Sequence, residues 1–428
     1  MDKLLRFHYR HWLSGPRWRM RLVFWGGALA VGAVSIALTW AANRAQALFD
    51  RTLVHPWIAL LLTPTGFVLC AWVARKFFPG AQGSGIPQAI AARRARERRY
   101  GLLSLKLAAG KILLTIAGLG FGASIGREGP TVQIGAAIML AAGKWGGMGR
   151  ARGLILAGSA AGVAAAFNTP LAGIVFAIEE MGRAFEQKNS ALVLIAVIIA
   201  GLASLGLVGN YSYFGTTASM LKVTIDWIAV IVCGLAGGVF GGLFAKLVVR
   251  GSDLIRDWTG RTSPSLGPMK RALLLAAACG LVTAACGFMS HGDTYGTGYA
   301  AARSAIEGHG LTWSFAPLKF LANLASTLSG IPGGLFAPSL SVGAGLGSVI
   351  AMVLGVHAIG AIVLLGMCAY FAGVVQAPIT SFVIIGEMSG ASGMVTPLML
   401  SAVIAYGVSR LIQPQSLYHA LAENFLAD

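Results

Sequence analysis

Long uncharged stretches alternate with short charged segments along the whole chain. The longest one, residues 320–386, contains no Asp, Glu, Lys or Arg. A helix needs about 20 apolar residues to cross a bilayer, so the longer stretches predict more than one crossing each. The stretches cover residues 22–42, 56–74, 153–178, 190–221, 227–245, 320–386 and 389–409. This pattern indicates an α-helical protein that crosses the membrane many times.

Glycine and proline interrupt many of these stretches. The chain has 58 Gly and 15 Pro among 428 residues, with 56% hydrophobic and only 11% charged residues. Small residues let membrane helices approach closely, and interrupted helices are typical of transporters. We therefore predict an all-α polytopic membrane protein of tilted and broken helices, and the composition argues against a soluble enzyme.

The net charge of +18 does not indicate a nucleic-acid partner. The basic residues lie between the apolar stretches, where an excess of Lys and Arg marks the cytoplasmic side of a membrane. Residues 1–21 are basic and aromatic, which predicts a cytoplasmic surface helix. The five Cys are odd in number and lack ligand spacing, so we expect neither a disulfide framework nor a metal site.

The domain organisation follows from these segments. After the surface helix of residues 1–21, we predict a first membrane repeat over residues 22–250. A connecting loop over residues 251–271 carries charges of both signs. The second repeat then covers residues 272–428 and includes a C-terminal tail.

The segment Gly126-Arg127-Glu128-Gly129-Pro130 places two charges inside an otherwise uncharged region. Ionisable groups at membrane depth are costly and suggest function. Gly129 and Pro130 suit a helix start, whose free N–H groups and positive dipole end attract anions. Glu128 would thus be a tethered anion beside an anion site. The alternative is a carboxylate that simply pairs with Arg127 at the membrane surface.

Two other polar sites could serve either function or structure alone. Ser84, in Gly83-Ser84-Gly85, could offer its hydroxyl to a ligand or cap the helix that follows. Glu179 and Glu180 end an apolar stretch and could be a solvated helix end. Adjacent helical residues point about 100° apart, so only one of these carboxylates can easily face a pathway.

The two halves of the chain match at a constant offset of 208 positions. A repeat with helix breaks at equivalent places is typical of transporters that bind substrate at the repeat interface. If the repeats are inverted, the helix starts near Pro130 and Pro338 meet at mid-membrane and form an anion site. The matches are Lys111 with Lys319, Gly126 with Gly334, Pro130 with Pro338, Gly135 with Gly343, Gly158 with Gly366, Pro170 with Pro378, and Glu179 with Glu387. Because Glu180 aligns with Met388, we expect Glu179 to be structural and Glu180 functional.

Four motifs in this order resemble the CLC family of chloride channels and chloride/proton exchangers. They are GSGIPQ at 83–88, GREGP at 126–130, GGLFAP at 333–338 and the tail tyrosine Tyr418; FNTPLAGIVFAIEEM at 167–181 extends the match. The resemblance implies inverted repeats, a homodimer with one pore per subunit, and no regulatory domains after the tail. Gln88 departs from the family pattern, since many relatives carry an acidic residue there.

The resemblance also implies roles for six residues. The Ser84 and Tyr418 hydroxyls and the backbone N–H groups of Leu335 and Phe336 would bind the central anion. Ser84 matches the chloride-selective form of the motif. Glu128 would be the gate whose carboxylate competes with chloride until it is protonated, and Glu180 would be the internal proton-transfer glutamate.

The function expected from these features is chloride/proton antiport in the bacterial inner (plasma) membrane, with both termini cytoplasmic and no cofactor or metal. A passive voltage- or pH-gated chloride channel of the same fold is the main alternative, because it shares every anion ligand but needs no proton route through Glu180. An intramembrane serine hydrolase using Ser159 is a third possibility. It is weak because small residues such as Gly158-Ser159-Ala160 usually serve helix packing.

Overall fold

The computed structural model describes residues 15–149, 151–182, 187–209, 221, 226–260 and 267–427. Within these ranges the chain is helical, and its only extended pairing is two isolated β-bridges. The helices are α1 (Gly15–Thr52), α2 (Pro56–Phe77), α3 (Ile86–Arg94), α4 (Arg99–Leu102), α5 (Leu105–Gly120), α6 (Glu128–Trp145), α7 (Ala151–Phe167), α8 (Pro170–Phe176), α9 (Gln187–Val208), α10 (Asp226–Gly260), α11 (Pro268–Met289), α12 (Tyr299–Ile306), α13 (Phe315–Leu328), α14 (Phe336–Leu354), α15 (Ile359–Val375), α16 (Pro378–Ser389), α17 (Val395–Ile412) and α18 (Leu417–Ala427). A π-helical turn, Ala177–Gly182, continues α8, and a 3₁₀ turn, Ser392–Met394, precedes α17.

Eight of the described helices are long and apolar enough to cross a membrane. Other apolar helices are shorter, including α7, α15 and α16. Proline occupies the first position of α2, α8, α11 and α16, where its missing N–H has no helical partner to lose. The prediction of an all-α membrane protein with broken helices is confirmed.

The two repeats correspond helix by helix. Helices α6, α7 and α8 start 208 positions before α14, α15 and α16, and the long helices α1 and α10 end at that same offset. By this correspondence α10 is the first helix of the second repeat, and it packs mainly against α15 and α17. We place the division between α9 and α10, one helix earlier than predicted from the charged segment 251–271. Residues 251–260 lie inside α10, because a charged segment can continue a helix beyond the bilayer.

Two further boundaries differ from the predictions. Residues 15–21 are continuous with α1 and form no separate surface helix, while residues 1–14 of that prediction lie outside the described residues. Helix α6 begins at Glu128, two residues before the expected start at Pro130. Proline fits at the third position because the first-turn N–H groups make no intrahelical bonds.

Matching residues in the two repeats make matching contacts. Lys111 Nζ donates to the carbonyls of Ala81 and Gly83 at 2.6 and 2.7 Å. Lys319 Nζ donates to those of Thr294 and Gly296, both at 2.8 Å. Each lysine is fully buried and fixes the loop before a short helix, α3 in one repeat and α12 in the other. The lysine pair therefore holds equivalent loops in place.

Close glycine contacts define the centre of each repeat. Gly135 on α6 lies against Gly158 on α7, and a Cβ at either position would collide with the backbone of the other. Gly343 on α14 and Gly366 on α15 meet in the same way. Both α7 and α15 are almost entirely buried, so each repeat is built around an apolar helix that has no lipid-facing side.

Candidate anion and proton site

The starts of α3, α6 and α14 meet inside the protein. Gly126 and Gly334 form an antiparallel bridge, with N–H to carbonyl distances of 2.6 and 2.7 Å. Gly83 pairs with the same strand-like segment, donating to the carbonyl of Ile331 at 3.2 Å and accepting from the N–H of Gly333 at 3.1 Å. The convergence of α6 and α14 predicted from the repeat is confirmed. Three helix starts then direct partial positive charge into one region.

The Glu128 carboxylate occupies the junction between the two repeats. It is fully buried and accepts backbone hydrogen bonds from the N–H groups of Arg127 and Glu128 on one side and of Ala337 on the other. Ala337 belongs to the first turn of α14, so the carboxylate lies between two helix starts. A negatively charged group is thus bound where such starts stabilise an anion.

Arg127 is next to this carboxylate and interacts with its charge. Its guanidinium also donates to the Thr39 carbonyl at 3.3 Å and to Asn43 Oδ1 at 2.5 Å, both on α1. The ion-pair alternative for Glu128 therefore accounts for only part of its surroundings. Backbone N–H groups from both repeats contact the same carboxylate.

Ser84 lies at the start of α3 and against the start of α6. The residue that caps α3 is Gly85, which has a left-handed backbone and no side-chain cap. The hydroxyl of Ser84 lies so near Gly129 that a Cβ there would collide with it. In the described part of the chain this buried hydroxyl has no hydrogen-bond partner, so the helix-cap alternative is wrong.

The Tyr418 hydroxyl reaches the same region from α18. Tyr418 is fully buried, and its hydroxyl also has no hydrogen-bond partner among the residues described. It lies within range of the Ser84 side chain and of the charges on Glu128 and Glu180. Two buried hydroxyls from distant parts of the sequence therefore lie near the Glu128 carboxylate.

Leu335 caps the start of α14, and Phe336 is the first residue of that helix. Their backbone N–H groups precede the first intrahelical hydrogen bond, and neither donates to a backbone carbonyl in the described ranges. The Phe336 ring packs edge-on against Phe371, with ring centres 4.7 Å apart, and lies 6.0 Å from the Tyr418 ring. Aromatic packing thus holds the helix start and the tyrosine in a common position.

A cavity of about 340 Å³ opens beside this group of residues. Ser84 and Leu335 line it together with Arg75 and Arg256, whose charges favour an anion. Gln88 is also in its wall, where the side-chain amide donates to the Gln82 carbonyl at 2.6 Å. The departure from the family motif therefore places a neutral side chain at position 88 of this wall.

The adjacent acids Glu179 and Glu180 have different environments. Glu179 accepts from the N–H groups of Ile379 and Thr380 and from the Thr380 hydroxyl, at 3.0, 2.6 and 2.7 Å, and so caps α16. Glu387 caps α8 in return, accepting from the N–H groups of residues 171 and 172. Glu179 was expected to be structural, and the structure shows that it acts as a helix cap. The interpretation of the pair as a solvated helix end is wrong.

Glu180 points away from these caps and is 2% exposed. His419 lies beside it, with Nε2 3.1 Å from the Glu180 backbone oxygen and 4.0 Å from Oε1. Arg94 contacts the other ring nitrogen of His419 at 2.8 Å. Sequence reasoning assigned no role to His419 or Arg94. The available signal was a histidine directly after the tyrosine in a largely apolar helix.

No group of three or more His, Cys, Asp or Glu side chains in the described ranges could hold a metal ion. The five cysteines are free and mostly buried, which fits side chains used for packing. The polar residues described above therefore provide the candidate chemistry of the site.

The chain matches the family model of the voltage gated chloride channels over residues 66–410. The chain belongs to the voltage gated chloride channel family. Among curated members, it is 30% identical to the H(+)/Cl(-) exchange transporter ClcA of Yersinia pestis bv. Antiqua (strain Angola), covering 86% of this chain and 80% of that one. It is also 30% identical to ClcA of Salmonella agona (strain SL483), covering 91% and 84%.

Solved structures of two antiporters share the fold. A slow cyanobacterial Cl⁻/H⁺ antiporter superposes with a TM-score of 0.78 at 23% identity, covering 96% of this chain and 98% of that one. A CLC-type fluoride/proton antiporter gives a TM-score of 0.77 at 23% identity, covering 94% and 97%. These matches extend over nearly the whole helical architecture, including both repeats.

Proposed function

We propose that this chain exchanges chloride for protons across a membrane. The observation that carries the proposal is the Glu128 carboxylate bound by backbone N–H groups of both α6 and α14. A titratable anion at a site suited to chloride couples the two ions, because protonation removes its charge and weakens its hold on the site. The curated relatives named as H(+)/Cl(-) exchange transporters support the same activity.

In this proposal the central chloride binds beside Glu128. The hydroxyls of Ser84 and Tyr418 donate to it from opposite sides, and the N–H groups of Leu335 and Phe336 complete its shell. The two hydroxyls without partners support this assignment, since buried polar groups are otherwise hydrogen-bonded. The site holds the anion without a full positive charge, which allows it to leave again.

Glu180 receives protons on the side of the tail helix. Glu180 is buried, and its charge acts on Tyr418. The neighbouring His419 contacts Arg94, which is exposed at the surface. A buried carboxylate can bind a proton during transport, whereas the chloride ion cannot. We assign it as the internal proton-transfer residue, distinct from its capping neighbour Glu179.

The orientation follows from contacts between the tail and the basic segment after α3. Arg94 contacts His419, and Arg98 donates to the Phe425 carbonyl at 3.1 Å. The tail helix and this arginine cluster are thus on one side, which the positive-inside rule makes cytoplasmic. We propose a plasma-membrane location, with both termini cytoplasmic and two subunits per molecule, each with its own pore. Single-molecule photobleaching of labelled protein in liposomes would test the dimer.

The serine-hydrolase alternative has little support in the site. Ser159 is fully buried in α7, and its hydroxyl has no hydrogen-bond partner in the described part of the chain. A nucleophilic serine needs a base within hydrogen-bond reach. The position fits helix packing instead.

The test is reconstitution of the purified protein in liposomes, with reversal potentials measured under combined chloride and pH gradients. An antiporter drives protons uphill on a chloride gradient, and its reversal potential depends on both ions. A passive channel gives a reversal potential set by chloride alone. The second result would refute the proposal and leave the channel as the function of the fold.

A further inference from the structure

His419 lies between the buried side chain of Glu180 and the exposed side chain of Arg94. Glu180 is 2% exposed, His419 is 5% exposed, and Arg94 is exposed at the end of α3. The imidazole contacts Arg94 through Nδ1 at 2.8 Å and Glu180 through Nε2. Its two nitrogens therefore face the surface and the proton-transfer residue, respectively.

The contact with Arg94 determines which nitrogen carries the proton. A guanidinium can only donate hydrogen bonds, so Nδ1 must accept with its lone pair. The ring is then neutral with its hydrogen on Nε2, directed toward Glu180. The nearby positive charge of Arg94 also disfavours an imidazolium in this arrangement.

We propose that His419 relays protons between the solution and Glu180, with Arg94 controlling access to Nδ1. The inference rests on the proposed role of Glu180 in proton exchange. When the Arg94 side chain moves away, Nδ1 accepts a proton from water. The imidazolium then gives its Nε2 proton to Glu180 Oε1, and the neutral ring regains its starting tautomer by proton exchange with water.

The geometry permits this transfer with a small movement. Nε2 and Oε1 are 4.0 Å apart, about 1 Å more than a hydrogen bond requires. The Nε2 hydrogen now points toward the Glu180 backbone oxygen at 3.1 Å, so a side-chain rotation of Glu180 brings its carboxylate to the same donor. Histidine suits the task because its charge changes near physiological pH.

In the described part of the chain, the charged side chains that donate hydrogen bonds to α18 are all arginines, namely Arg94, Arg98 and Arg256. Arg93 donates to the Met181 carbonyl at 2.8 Å, next to Glu180, and the other nearby cations contact the helix further along. These positive charges destabilise an imidazolium and favour transfer of its proton to the Glu180 carboxylate. The charged residues on the elements packed against α18 are Arg93 and Arg94 on α3, Arg98 after it, Glu179 and Glu180 on the π turn, Asp226, Lys246, Arg250, Asp253, Arg256 and Asp257 on α10, and Glu423 on α18 itself.

The alternative is that His419 only positions the backbone of the π turn. His419→Gln separates the two roles, because a glutamine amide can donate from the place of Nε2 but cannot titrate. His309→Gln makes the same chemical change on an exposed loop and serves as the control. Glu180→Gln reports whether the proton route uses Glu180 at all.

The experiment measures chloride-driven proton uptake and chloride efflux in liposomes between about pH 5 and 8, where histidine titrates. In His419→Gln we expect proton uptake at least roughly a hundredfold slower, as for loss of a general acid–base group, with chloride efflux within about twofold of wild type. His309→Gln should equal wild type. In Arg94→Gln, removal of the positive neighbour should move the pH of half-maximal proton uptake upward by about one unit.

Rescue separates a relay from a structural role. His419→Ala should lose proton uptake and regain part of it when free imidazole is added, since a small base can occupy the vacated space. Normal proton uptake in His419→Gln would overturn the inference while leaving the proposed function intact. Normal uptake in Glu180→Gln would overturn both the role of Glu180 and the relay to it. Absence of proton movement in wild type would overturn the proposed antiport itself, and the relay with it.

Discussion

Adjacent substitutions at Glu179 and Glu180 should have opposite effects. Both changes to glutamine remove one negative charge and almost no volume. Glu179→Gln should lower stability while the protein that folds still moves protons. Glu180→Gln should stop or sharply reduce proton transport while chloride binding at the central site remains.

The cost of Glu179→Gln follows from its three hydrogen bonds to α16. The glutamine oxygen can replace the carboxylate oxygen that accepts from the Thr380 N–H and hydroxyl. Its NH₂ group then faces the Ile379 N–H, a donor against a donor. Loss of this bond and of the charge at a helix start costs about 1–3 kcal/mol, with the low end favoured because Glu179 is only partly buried.

Glu387→Gln provides the matched comparison. Glu387 accepts from two backbone N–H groups of α8, at 3.1 and 2.9 Å, and among the described residues it has no hydrogen bond to a hydroxyl. Its replacement should cost about as much as that of Glu179 or slightly less, and it should not affect the proton route. Both variants should therefore lose stability and keep proton transport, whereas Glu180→Gln should keep its stability and lose proton transport.

The assay combines thermal unfolding in detergent with paired chloride and proton fluxes in liposomes. We expect lower unfolding midpoints for Glu179→Gln and Glu387→Gln, and near-normal stability with lost proton flux for Glu180→Gln. Full coupling in Glu180→Gln would show that the proton route lies elsewhere. Loss of coupling in stable Glu179→Gln would refute the division of roles.

Three further predictions concern the anion site and the repeat. Glu128→Gln should abolish proton coupling and leave chloride flux, because a neutral side chain no longer competes with the anion; continued uphill proton pumping in liposomes would remove Glu128 as the gate. Ser84→Pro should weaken the preference for chloride over nitrate roughly tenfold, since a hydrogen bond to a charged partner contributes about 1.5–3 kcal/mol; an unchanged permeability ratio would remove Ser84 from the site. Lys319→Met should lower the unfolding midpoint, as should Lys111→Met, because each leaves two carbonyl groups without their buried donor; a stable double variant would contradict this role.

Several features of the site could be predicted because their signals are local. The charged pair Arg127-Glu128 stands out in an uncharged region, and the glycine and proline residues beside it indicate a helix start. The offset of 208 then pairs this start with the one at α14, and inversion of the repeats requires that they meet. The start of α6 itself was placed two residues late, because proline is compatible with any first-turn position.

The contacts of Ser84 could not be predicted with the same certainty. A serine before a helix is usually a cap, and only the fold shows that Gly85 takes that place and leaves the hydroxyl without a partner. The division of the repeats predicted from the charged segment 251–271 likewise differs from the one we place between α9 and α10, since a charged segment can be a loop or the end of a long helix such as α10. Local composition cannot distinguish these cases.

The sequence by itself determined the membrane class, the broken helices and the internal repeat of this protein. These properties depend on hydrophobic length, on helix-breaking residues and on spacing, all of which are linear. Tertiary structure decided which polar groups meet: Glu179 with the start of α16, Glu387 with that of α8, and His419 with Glu180 and Arg94. Such contacts join residues more than 200 positions apart, and they depend on how the two repeats pack, which no local pattern encodes.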